Sequence, residues 1–248
     1  MTLLAVERIK LFSTRSPWWC AALALVITTG IAALIAANTS AEFPLTVGLT
    51  QAFYSFGMYV VLVMAALAVT TEYRFGTIKA TFLAVPNRVS ALVAKTAVVA
   101  VMAGLIGEAV AFGQWGISKL IKPNADIAIN SAVEWRNVAG VGLVFLVGSI
   151  LALAVGILVR HTAAAVSILL VWALIVEQLI GIIPKIGEKI QRWMPFVNGN
   201  HFLTAGGPEL QPDPIKYPFG AWGSLGYFAA VSVGLLIVAL VVAKRRDA

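Results

Sequence analysis

Six apolar runs, each about 20 residues long, leave this chain little choice of environment. They cover residues 18–37, 52–71, 96–117, 138–159, 163–183 and 222–243. About 20 helical residues cross ~30 Å of hydrocarbon, and a helix satisfies every backbone polar group within its own segment. The connections are short except at 184–221, so no soluble domain of useful size can fold between the runs. Composition agrees, with 60% hydrophobic and 12% charged residues. The expectation is an all-α membrane protein, a single domain over 1–248 with six transmembrane helices. The first run exceeds the ~7–15 apolar residues of a signal peptide, so it is expected to remain as a span. Cys20 lies inside it, and a lone cysteine can form no internal disulfide.

The net charge of +7 would suggest nucleic acid in a soluble chain. Here the bias of Lys and Arg toward the cytoplasmic side explains it better. With the N-terminus inside, Arg8, Lys10, Arg15, Arg74, Lys79, Arg88, Lys95, Arg160, Lys244, Arg245 and Arg246 share the cytoplasmic side. Lys119, Lys122, Arg136, Lys185, Lys189, Arg192 and Lys216 fall on the other, diluted by Glu42, Asp126, Glu134, Glu188, Glu209 and Asp213. The expectation is a multi-pass protein of the plasma membrane with both termini cytoplasmic and no nucleic-acid partner.

One interior stretch breaks the apolar pattern, TEYRFGTIKATFLAVPNRVSALVAK at 71–95. Its charges would each cost ~2.5–3.5 kcal/mol at a bilayer centre, so it belongs outside the hydrocarbon. Residues 72–85 are compatible with a short helix, with Phe75, Ile78 and Phe82 on one stripe. Pro86 stops it, and Asn87 or Ser90 can cap the next helix. On chemistry alone two readings stay open: a contact for a soluble partner, or a helix lying at the lipid interface. Residues 2–15 mix apolar and basic positions and suit an interfacial helix, followed by Pro17 and the interface-seeking Trp18 and Trp19. Ile186, Ile190 and Trp193 are expected to half-bury a short amphipathic segment on the outer side, before an irregular Pro/Gly-rich stretch.

Chemistry within the spans is sparse. Phe56 and Tyr59 share a helix face, and Gly148, Ala152 and Gly156 recur at a spacing that lets two helices approach closely. Glu108 and Glu177 are carboxylates at membrane depth, read either as a proton or cation site or as hydrogen-bonded structural groups. No phosphate-cradling G-x-x-x-x-G-K-[ST] loop, Cys/His cluster or nucleophile–base arrangement occurs. The chain is therefore expected to be no enzyme, with no catalytic residues, no metal site and no cofactor of its own.

The interior motif, Glu72-Tyr73-Arg74, Gly76-Thr77, Leu83, Pro86, Arg88 and Lys95, resembles the signature between the second and third spans of ABC-2 type transporter permeases. The six-span plan, the N-terminal interfacial helix and the outer amphipathic segment are similar too. Tyr73 departs from the pattern, standing where a second polar or charged residue is common. The resemblance implies that 72–85 is a cytoplasmic coupling helix seated on a separate ABC ATP-binding subunit, which would hold ATP and Mg. Glu72, Tyr73 and Arg74 would contact that subunit, Gly76 and Thr77 would allow close approach, and Pro86 and Arg88 would set the start of the third span. It also implies a second permease chain, identical or related, with Phe56, Tyr59, Trp172 and Glu177 near a cargo pathway. The resulting expectation is the transmembrane subunit of an exporter moving a hydrophobic or amphipathic cargo such as a drug, lipid or peptide. The competing expectation is an ion-coupled secondary transporter using Glu108 and Glu177.

Overall fold

The structure is a computed structural model that describes residues 2–40, 43–85, 87–184, 186–207 and 215–245. Every regular element among them is helical. In chain order they are α1 (Leu3–Ser13), α2 (Ser16–Asn38), α3 (Val47–Thr50), α4 (Tyr54–Arg74), α5 (Thr77–Ala84), α6 (Arg88–Ile121), α7 (Ala132–Val159) and α8 (Thr162–Val171). A π-helical turn, Trp172–Val176, then leads into α9 (Glu177–Gly181), α10 (Gly187–Gln191), α11 (Pro195–Thr204) and α12 (Ala221–Arg245). Six helical segments are long and apolar enough to cross a membrane: α2, α3–α4, α6, α7, α8–α9 and α12. This multi-pass architecture is the one the six apolar runs require. Pro86, Glu42, Lys185, Glu209, Asp213 and Arg246, named above for their charge or their breaking of a helix, lie outside the described residues.

The bundle is layered around α7. In its most apolar stretch 72% of residues are buried, against 22% in the first, fifth and sixth spans. Glycine decides how closely its neighbours approach. A Cβ on Gly107 of α6 would sit 2.9 Å from the Gly142 Cα and 2.8 Å from the Phe145 ring of α7. A Cβ on Gly156 would meet Val69 of α4 at 2.6 Å, and one on Gly148 would meet Met58 at 2.5 Å. The small-residue face of α7 is thus where α4 packs. Gly107→Ala should force α6 and α7 apart and cost about 2 kcal/mol, within the usual range for overpacking. Gly234→Ala, with nothing within 4 Å of the added carbon, should be neutral. Thermal unfolding in detergent checks the pair; equal midpoints would refute the close approach.

Two spans differ from the sequence expectation. The third, expected at 96–117, starts at Arg88 because the Asn87 side chain accepts from Val89 and Ser90 N–H groups. Lys95 stays inside the helix because it is paired with carboxylates rather than left to lipid. The fifth span bulges by one residue at Trp172–Val176, and the Glu177 N–H donates to the Trp172 carbonyl. Such π-turns mark places where a side chain is held in a particular register.

In the outer connection α10 is one short turn, and Ile186, Ile190 and Trp193 are 56%, 39% and 40% exposed within the chain. The packing against the bundle comes from α11, which begins with Pro195 and packs against α7 and α12. Phe202 and Leu203 are buried, and Gly199 brings its backbone against Phe228 and Val144.

Candidate functional site

Four charged side chains meet at the end of the bundle where α1, α4, α5 and α6 converge. Glu7 faces inward from α1. Its Oε2 accepts from Lys95 Nζ at 2.6 Å, and its Oε1 from Lys10 Nζ at 2.8 Å. Glu72, on the last turn of α4, accepts at Oε1 from Lys95 at 3.0 Å and from Lys10 at 3.5 Å. Lys10 also donates to Thr81 Oγ1 of α5 at 3.0 Å. The side chains of Lys95 and Glu7 are only 8% and 5% exposed. Two ammonium groups and two carboxylates balance, which lets the cluster sit in a low-dielectric pocket.

Burial by itself would raise the Glu7 carboxyl, but Lys95 and Lys10 outweigh it and hold it below its ordinary 4.5. Burial would lower the Lys10 ammonium, but its contacts with Glu7 and Glu72 hold it above its ordinary 10.5. A cleft of about 460 Å³ opens beside these groups, lined also by Thr71, Phe75, Ala80 and Val99.

The motif residues divide between interior and surface. Glu72, Tyr73 and Arg74 finish α4 rather than begin a connecting helix. Gly76 then takes φ +72°, a left-handed conformation open to glycine at little cost, and α5 starts after it. Within this chain nothing lies within 4 Å of a Cβ built there, so the left-handed turn is what calls for glycine. Glu72 is paired with Lys10 and Lys95. Tyr73 is half-buried beneath the Arg160 guanidinium, 5.1 Å from its ring. Arg74 and Thr77 are exposed. Arg88 lies over the Phe82 ring at 5.4 Å.

The expected stripe of Phe75, Ile78 and Phe82 does not lie on one helix, because Phe75 is the C-cap of α4 while Ile78 and Phe82 belong to α5. Ile78 is 2% exposed and Phe75 71%. The outward surface is instead Phe75, Lys79 and Leu83, the last 88% exposed.

The residues expected near cargo separate into two pairs. Phe56 and Tyr59 contact each other on α4, their ring centroids 6.2 Å apart. Trp172 donates its indole N–H to Glu177 Oε1 at 2.9 Å. Glu177 is fully buried. Its carboxylate accepts from the backbone N–H groups of Phe196 (3.3 Å) and Val197 (2.9 Å). These belong to the first turn of α11, whose own N-cap, Met194, has no side-chain bond to give. Glu177 therefore caps a neighbouring helix, and Gln191 adds a bond to the Glu177 carbonyl at 3.0 Å. Glu108 is half-buried, its carboxyl against Gly142 of α7. His161 is exposed and caps α8, its Nδ1 accepting from the Ala164 N–H.

Sequence reasoning missed Glu7, Lys10 and Thr81 as members of the cluster. The signal available was that Glu7 is the sole acid before Glu42 in a stretch otherwise basic. It also missed α11, which Pro195 at the first helical position announces. Among the described residues no group of three or more His, Cys, Asp or Glu could hold a metal ion.

No protein-family model and no curated protein matches this chain. The functional reading accordingly rests on the cluster and the surface it supports.

Proposed function

We propose that this chain is the transmembrane permease subunit of an ATP-binding-cassette exporter, driven by a separate ATPase subunit. One observation carries the reading. The Glu7–Lys10–Glu72–Lys95 cluster ties α1, the end of α4, α5 and the start of α6 into one block, with Phe75, Lys79 and Leu83 outward. A chain without a nucleotide loop can use ATP only if a partner pushes on an element rigidly joined to its spans. A block pinned by buried ion pairs to the second and third spans meets that requirement. The ATPase would bind ATP and Mg, and a second permease chain would complete the pathway. The block would face the cytoplasm of a plasma-membrane protein with both termini inside. The cargo would be hydrophobic or amphipathic, in keeping with the exposed aromatic side chains of Phe56 and Trp172. The ion-coupled alternative is weakened because every bond found at Glu177 ties it to neighbouring structure.

Glu72 is a poor probe of partner contact, since its loss disturbs the interior. The surface positions are better. Lys79→Glu with Leu83→Ser should cut the ATPase activity that co-purifies with the tagged chain from its native membrane at least tenfold, with thermal stability unchanged. Undiminished activity, or none with the unaltered chain, would overturn the reading.

A further inference from the structure

The same end of the molecule has a second chemical character on its outer side. α1 turns its only acid, Glu7, inward and keeps it 5% exposed. Leu4, Arg8, Ile9 and Phe12 are left exposed on α1, with Arg15 exposed at the turn into α2. Trp18 and Trp19 follow at once, 55% and 73% exposed on the first turn of a membrane span. The Trp18 ring packs 5.5 Å from that of Phe12, and its indole N–H donates to the Phe12 carbonyl at 3.4 Å. This fixes the aromatic pair at the junction between α1 and the span. Indole rings partition to headgroup depth, so the junction marks where the bilayer surface runs. Both acids of the nearby cluster, Glu7 and Glu72, are consumed by Lys10 and Lys95. Arg8 and Arg15 therefore present positive charge outward with no exposed acid on residues 2–40 to offset it.

We infer that this face, Leu4–Arg8–Phe12–Arg15 with Trp18 and Trp19, is a binding surface for anionic phospholipid. The apolar side chains would enter the acyl boundary, the indoles lie among the headgroups, and the two guanidiniums take lipid phosphate, which they can grip with paired N–H donors. A zwitterionic lipid offers the same tails, so charge is the discriminating feature. The inference needs only that α2 spans a membrane and does not depend on an ATPase partner.

The test is native mass spectrometry of the delipidated full chain, titrated with dioleoyl phosphatidylglycerol or dioleoyl phosphatidylcholine. The unaltered chain should bind phosphatidylglycerol roughly thirtyfold more tightly, the order expected for two cations at an anionic surface. Arg8→Gln with Arg15→Gln should abolish the preference while circular dichroism and thermal midpoint stay unchanged. Lys119→Gln with Lys122→Gln, on the opposite end of α6, should leave it intact. Equal affinity for the two lipids would overturn the inference. So would a preference that survives loss of both arginines, or one that the Lys119/Lys122 variant removes.

Discussion

Replacing Lys95 with methionine is expected to cost the folded bundle about 3 kcal/mol, the scale found when one partner of a buried ion pair is removed. Lys95 bridges Glu7 and Glu72, and the substitution leaves both carboxylates to share Lys10, which reaches Glu72 only at 3.5 Å. An uncompensated negative charge then sits in a pocket where Glu7 is 5% exposed. α1 also loses its link to α6, so tryptic cleavage after Arg8 and Lys10 should accelerate. The double variant Glu7→Gln with Lys95→Met removes opposite charges together and should recover at least half of the loss. If the single variant unfolds at the same temperature as the unaltered chain, the cluster does not hold the block together.

The cluster also sets a pH window. The Glu7 pKa is depressed on folding, so its contribution is complete above the ordinary 4.5 and fades as pH falls through the lower folded value. The Lys10 pKa is raised, so its contribution is complete below the ordinary 10.5 and fades as pH climbs through the higher folded value. The stability difference between the unaltered chain and the Glu7→Gln/Lys95→Met double variant should therefore be flat between these limits.

Glu177→Leu is the second substitution with a large expected effect, about 3 kcal/mol or more. Leucine leaves the Phe196 and Val197 N–H groups and the Trp172 indole without their acceptor. Each buried donor left unsatisfied costs ~1–3 kcal/mol. Glu177→Gln keeps one carbonyl oxygen but turns an amide N–H₂ toward donors, so it should fall between glutamate and leucine. Hydrogen exchange gives the local reading: amides 196–199 should lose protection in the order Glu, Gln, Leu, while those in the middle of α7 change little. Unaltered protection across the series would show that α11 is held by its packing on Phe228 and Val144 alone.

These two sites show what was legible in the chain itself. The six spans were, because no other structure satisfies the backbone of a long apolar run in lipid. So was the face built on Gly148, Ala152 and Gly156, since small residues at helical spacing carry their packing partner's outline with them. The Asn87 cap was legible for a similarly local reason, an acceptor two residues before the N–H it serves. The inward direction of Glu72 was not. Its partners Lys10 and Lys95 lie 62 and 23 residues away, and a carboxylate two residues before an arginine reads as surface until those contacts are known. Glu177 was narrowed to two roles by its depth, and the choice between them depended on α11 returning to its side.

The sequence by itself thus determined the environment, the number of spans and where helices touch closely, because hydropathy and side-chain size act over one or two helical turns. Only the tertiary structure decided which charges are interior clamps and which are surface. The sign and burial of an ion pair depend on groups that the chain brings together from distant positions.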